Sequence, residues 1–144
     1  MIVSLHVATG AAAGAALRSR AGAAAAGLLL HLLGDRLPHR DIASRRFELW
    51  SGAVPLTLLV AVRGPTSPAT LGGLAGSAPD LEHVLPLPRP GGRKLFPSHR
   101  IAGWHRAGGV SVWAQLLAAG LVIGTVLGAE VHPRAGRDDA RTCR

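Results

Sequence analysis

His31-Leu32-Leu33-Gly34-Asp35-Arg36-Leu37-Pro38-His39 closes a run of small and apolar residues with three side chains that can ligate a metal. On a helix, residues four apart share a face, so His31 and Asp35 point the same way, one turn apart. Pro38 lacks an amide proton and disfavours helix at the residue before it, which predicts a helix ending at Leu37. His39 then falls in the exit loop, free to fold back towards Asp35. A single histidine on an apolar face is ordinarily a core residue that has found a hydrogen bond. A histidine and an aspartate one turn apart, with a second histidine at the helix end, fit a ligand set as well as a core, and where the other histidines and acids fall decides between the two.

Working outward, the chain has 144 residues, one domain's worth, and only 3% of them are aromatic although 48% are hydrophobic. The apolar mass is therefore Ala, Leu, Val and 19 glycines, which suits helices packed closely through small residues. A mean hydropathy of +0.28 points to short membrane helices joined by polar loops, with an Ala-rich soluble bundle as the alternative. Five helices are expected. Ile2–Leu17 is an uncharged run without the basic start of a cleaved signal peptide. A short break at Arg18-Ser19-Arg20 turns it into a second run, Ala21–Leu37. Phe47–Val62 follows, with Ser44 as N-cap and Pro55 as an expected kink. Ser67-Pro68 reads as a cap and first helical position, opening a fourth helix through Ala78. After a long loop rich in Pro and Gly, Ala107–Ala129 offers 23 residues without a charge, the one segment long enough to span a bilayer. The expected architecture is thus an all-α, membrane-embedded bundle over residues 1–129, with a polar, disordered tail at 130–144.

Counting five antiparallel helices puts nearly all the candidate ligands at one end. His6 opens the first helix; His31, Asp35 and His39 close the second; Asp80, Glu82 and His83 follow the fourth; His99 and His105 precede the fifth. Only His132 is left out. The loops at that end also carry most of the basic residues outside the tail, among them Arg36, Arg40, Arg45 and Arg46, so the positive-inside rule turns it to the cytoplasm. Nitrogen and carboxylate ligands suit a divalent ion, Zn above all, or Mn or Fe, one or two of them. Asp80 and Glu82 are candidates for ligand and general base. Arg93, Lys94 and Arg100, beside Gly91 and Gly92, are candidates for neutralising a phosphate, or else meet lipid headgroups. A net charge of +8 permits membrane lipid or a small anionic, lipid-like substrate as partner. Nucleic acid is not expected, because no basic cluster is interleaved with aromatics for base stacking. A single Cys143 leaves no intrachain disulfide.

An early His, then His-Leu-Leu-x-Asp-x-x-Pro-His, then Pro-Asp-x-Asp/Glu-His, then a His-Arg…His pair resembles the YdjM-type family of predicted membrane-bound metal-dependent hydrolases. The matching residues are His6, His31 to His39, Pro79 to His83, and His99-Arg100 with His105, and the resemblance spans about residues 1 to 128. It implies a small multi-helix protein of the inner membrane with a metal site that hydrolyses phosphoesters or lipid-like substrates. Glu82 stands where the family usually has a second Asp. The final pair, His99-Arg-Ile-Ala-Gly-Trp-His105, is looser than the family's, with Arg106 in place of a Ser. A non-catalytic metal-binding or scaffold protein of the membrane is the alternative function for the same ligands.

Overall fold

The computed structural model describes residues 1–129; the tail expected at 130–144, with His132 and Cys143, lies outside them. The described residues form helices α1 (Val3–Leu17), α2 (Arg20–Gly34), α3 (Arg45–Arg63), α4 (Pro68–Ser77), the one-turn helices α5 (Leu81–Val84) and α6 (Pro97–Arg100), and α7 (Val112–Gly128). A 3-10 turn, Ala78–Asp80, joins α4 to α5. The five longer helices fall where the sequence places them, and four of their starts follow serines. Ser19, Ser44, Ser67 and Ser111 each accept an amide proton from the first turn of the helix they precede. Pro55 lies inside α3 without ending it. Ser67→Ala, which removes the cap that Thr70 N–H uses at 3.1 Å, is expected to cost about 1 kcal/mol in a denaturant titration.

α1 is the axis, with α2, α3, α4 and α7 packed around it. Its contact with α4 is backbone against backbone. A methyl group at Gly10 would overlap the Gly72 carbonyl, and one at Gly76 would overlap that of His6. α2 joins the same seam, since a methyl at Gly27 would also meet Gly72. Away from the glycines, Val7, Ala8 and Ala11 of α1 meet Leu59 of α3, Ala69 of α4, and Ala119, Ile123 and Val126 of α7 in one apolar core. Close approach through small residues thus sets the mutual height of α1, α2 and α4, and with it the height of the histidines they carry.

Two boundaries differ from expectation. α2 ends at Gly34, not Leu37, and Asp35 is its C-cap, with its amide still bonded to the His31 carbonyl. The last helix begins at Val112 and has 17 residues, because Gly108 and Gly109 take positive φ angles of 96° and 72° that no helix allows. The preceding segment runs alongside the α2 exit instead: Val110 N–H donates to Pro38 O at 3.0 Å and Arg40 N–H to Val110 O at 3.1 Å. Among the described residues, no helix is long and apolar enough to cross a membrane. Large apolar side chains nevertheless stand exposed, including Trp113, Leu117 and Leu121 on α7 and Trp50, Val54 and Leu58 on α3.

Candidate metal centre

Six histidines meet at one end of the bundle around the carboxylate of Asp35. That carboxylate is 1% exposed, and four imidazole nitrogens face it. His6 Nε2 lies 3.1 Å from Oδ1. His31 Nε2 lies 3.1 Å from Oδ2, while His99 Nε2 and His105 Nε2 are each 3.4 Å from Oδ2. The His6 and His31 rings stack with centroids 3.9 Å apart, a consequence of the close α1–α2 approach. Ser98, at the start of α6, donates its hydroxyl to Asp35 Oδ2 at 2.6 Å.

The far side of each ring fixes what the near side can offer. His31 Nδ1 sits 2.8 Å from the Gly76 carbonyl, so it carries the proton and donates it. His99 Nδ1 faces Glu82 Oε1 in the same manner. With both Nδ1 atoms committed, each neutral ring turns an Nε2 lone pair inward, and the two lone pairs lie 3.4 Å apart beside a carboxylate oxygen. Three electron-rich atoms at that spacing repel one another unless a cation sits among them. The spacing also has a metric meaning. Ligands at about 2.0–2.1 Å from a tetrahedral zinc are about 3.4 Å from each other. The observed edges are 3.1, 3.4 and 3.4 Å for His31, His99 and Asp35, and 3.6 Å from His99 Nε2 to Asp80 Oδ1. The chemistry and geometry of the donor set fit a divalent ion held by His31, Asp35 and His99, with Asp80 beside it at His99.

The two acids after α4 play different parts. Both Glu82 oxygens are used: Oε2 accepts from Leu95 N–H at 2.7 Å and Phe96 N–H at 3.4 Å, and Oε1 takes the His99 Nδ1 proton. Asp80 Oδ2 is buried and has no hydrogen-bond partner. Burial would raise the Glu82 carboxyl, but the Leu95 amide and His99 hold it below the ordinary glutamate value. Burial pushes the Asp80 carboxyl up to about 6, against the pull of His31 and His99. At Asp35, burial is outweighed by the rings of His31, His6 and His99, which keep the carboxyl well below the usual carboxylate range. Burial disfavours a charged His99 ring, yet Asp35 and Glu82 together raise it above the ordinary histidine value. His83, its ring 4.3 Å from that of His99, is pushed down to about 4 by burial and by its titratable neighbours His99 and Lys94.

Two consequences can be measured. Glu82→Ala removes no ion-facing atom but frees the His99 ring, so zinc affinity should fall about 10- to 100-fold in a chelator competition, and an unchanged affinity would show that His99 is held by other means. Protons compete with the ion at Asp80 and at His99. Metal uptake by apo-protein should therefore weaken as the pH falls through about 6, measured by titration at pH 7 and at pH 5.

A cavity of about 270 Å³ opens onto this centre. Asp35, Asp80, His99 and His105 line it from below, with Ile42, Leu49, Leu81 and Val84 on its walls and Arg45 beside them. Arg93, Lys94 and Arg100, expected from the sequence to meet an anionic substrate, do not line it. Arg93 and Arg100 are exposed, and Lys94 sits 3.1 Å from His83 Nδ1 at the outer edge. The loop that carries them is fastened to Glu82 through the Leu95 and Phe96 amides. The cation at the cavity is Arg45, on the first residue of α3, which also donates to the His83 carbonyl at 3.3 Å. Sequence reading counted Arg45 only among the basic residues that set orientation, gave no site role to Asp41 and missed Ser98, although Ser98 directly precedes a candidate ligand in Pro97-Ser98-His99.

No protein-family model, curated protein or solved structure matches the chain.

Proposed function

We propose that this chain is a membrane-bound, metal-dependent hydrolase of phosphoester or lipid-like substrates, its centre at the cytoplasmic face. The observation that carries the reading is the convergence of His31 Nε2, His99 Nε2 and Asp35 Oδ2 at the edge lengths of a tetrahedral ion site. The motif resemblance to the YdjM-type hydrolases points the same way. When bound, a divalent ion, zinc by its ligand set, supplies Lewis-acid polarisation of a phosphoryl or acyl oxygen and activates water. The protein's own groups do the rest. Asp80 keeps a free oxygen facing the cluster and serves as proton acceptor, while Glu82 holds the His99 ring in register. Arg45 orients an anionic group, and the leucines of the cavity wall receive an apolar tail. The exposed stripes on α3 and α7, each recurring at every fourth residue, support seating in lipid. Helices this short suit a locally thinned or partly penetrated bilayer.

Elemental analysis of detergent-purified protein, paired with a panel of nitrophenyl phosphates and acyl esters, tests the reading. Bound zinc, manganese or iron with ester hydrolysis abolished by Asp80→Asn is the expected result. Arg45→Gln should raise KM for an anionic substrate about tenfold with little change in kcat, whereas Arg93→Gln should leave both unchanged. Absence of metal after reconstitution overturns the enzyme reading. Bound metal without hydrolysis would leave a metal-binding membrane protein.

A further inference from the structure

Asp35 does not turn both oxygens to the same neighbours. Oδ2 faces His31, His99 and His105, whereas Oδ1 faces His6 and, at 3.2 Å, the Met1 nitrogen. On the Oδ1 side lies His39, and its ring is built as His31 and His99 are. His39 Nδ1 is 2.6 Å from the Leu37 carbonyl and donates to it, so Nε2 carries the lone pair that faces the cluster. Asp41 Oδ1 is 3.3 Å from that Nε2, close to the edge of a tetrahedral ion site, about 3.4 Å. Asp35, His39 and His105 each offer a ligand atom within 4.8 Å of the others. His39 and Asp35 are buried, while His105 is partly open to the cavity.

We infer that a second divalent ion binds here, held by His39, His105 and Asp41, with Asp35 bridging it to the first ion. This rests on the metal reading of His31, Asp35 and His99 given above. Asp41 is a new member of the set. Paired ions about 3.5–4 Å apart clamp both the attacking and the leaving oxygen of a displacement, which suits a phosphoester substrate. The Met1 nitrogen now lies among the same atoms, 2.5 Å from His39 Nε2, 3.2 Å from Asp35 Oδ1 and 3.4 Å from Asp41 Oδ1. It must give up those contacts when the ion enters, so the second position is the weaker of the two.

Zinc titration of the full chain, followed by elemental analysis, should give two equivalents for the wild type and one for His39→Ala. Asp41→Asn, a change at a half-exposed side chain that leaves the core untouched, should likewise reduce two to one and guards against a His39 variant that fails to fold. Manganese-loaded wild type should give the electron paramagnetic resonance spectrum of a spin-coupled pair. One equivalent in the saturated wild type, with an uncoupled manganese spectrum, overturns the second site and leaves the first standing. Two equivalents retained in both variants also overturns it. No bound metal overturns both sites.

Discussion

Asp35→Asn is expected to remove nearly all bound metal, from stoichiometric to under about one-tenth of an equivalent at micromolar free zinc. The amide is nearly the same size, so the packing of α2 against α1 is kept. The chemistry is not. Asp35 supplies the only fully buried carboxylate among the proposed ligands and faces four imidazole nitrogens. An amide oxygen carries no charge to offset the ion, and its NH2 group would take up the inward Nε2 lone pairs that the ion needs. Loss of a charged ligand to an ion with structural-site affinity removes several kcal/mol of binding. Elemental analysis beside a thermal melt separates the two effects. Metal retained at wild-type stoichiometry would mean that Asp35 is only a partner in a buried histidine network.

The second large effect concerns the fold. Gly72→Leu is expected to destabilise by more than about 3 kcal/mol and in practice to abolish folding, since overpacking a fixed seam forces the backbone apart. The Cβ alone would overlap the Gly10 carbonyl across the α1–α4 contact, and no flexible side chain is there to yield. Gly124→Ala is the control. Nothing lies within 4 Å of the methyl it would add on α7, so helix propensity alone should make it neutral or stabilising by up to about 1 kcal/mol. Circular dichroism and yield of the two variants would show whether glycine matters by position or merely by abundance. Equal stability of both would remove the seam from the account of how the histidines are aligned.

Much of this was legible in the chain because it is written locally. Uncharged runs marked the five long helices, with serine caps at Ser44 and Ser67, and the spacing of His31 and Asp35 survives as a 3.1 Å contact across one turn. What escaped depends on pairs far apart in sequence. The start of α7 is set by Gly108 and Gly109 laying Val110 beside Pro38, a pairing that no window around residue 107 contains. Glu82 reads as a free acid until the Leu95 and Phe96 amides are seen to occupy it. Arg45 reads as one of many surface arginines; only the placement of α3 brings it to the cavity. The six histidines gather as their order along five helices anticipated, but which nitrogen each presents is decided by the Gly76, Leu37 and Glu82 oxygens behind them.

Gln115, buried on the first turn of α7, accepts from Ile2 N–H at 3.1 Å and donates to the Arg40 carbonyl at 2.8 Å, across 113 and 75 positions of chain. Loops of that span close slowly, and they close only after the last helix has been synthesised. The segments bearing His6 and His39 are therefore pinned late, when α7 docks. A nascent chain would carry His39 and its neighbours unpinned until the last helix docks, so the second metal position would be completed last. Order of assembly, and not affinity alone, would then govern which metal the finished protein meets.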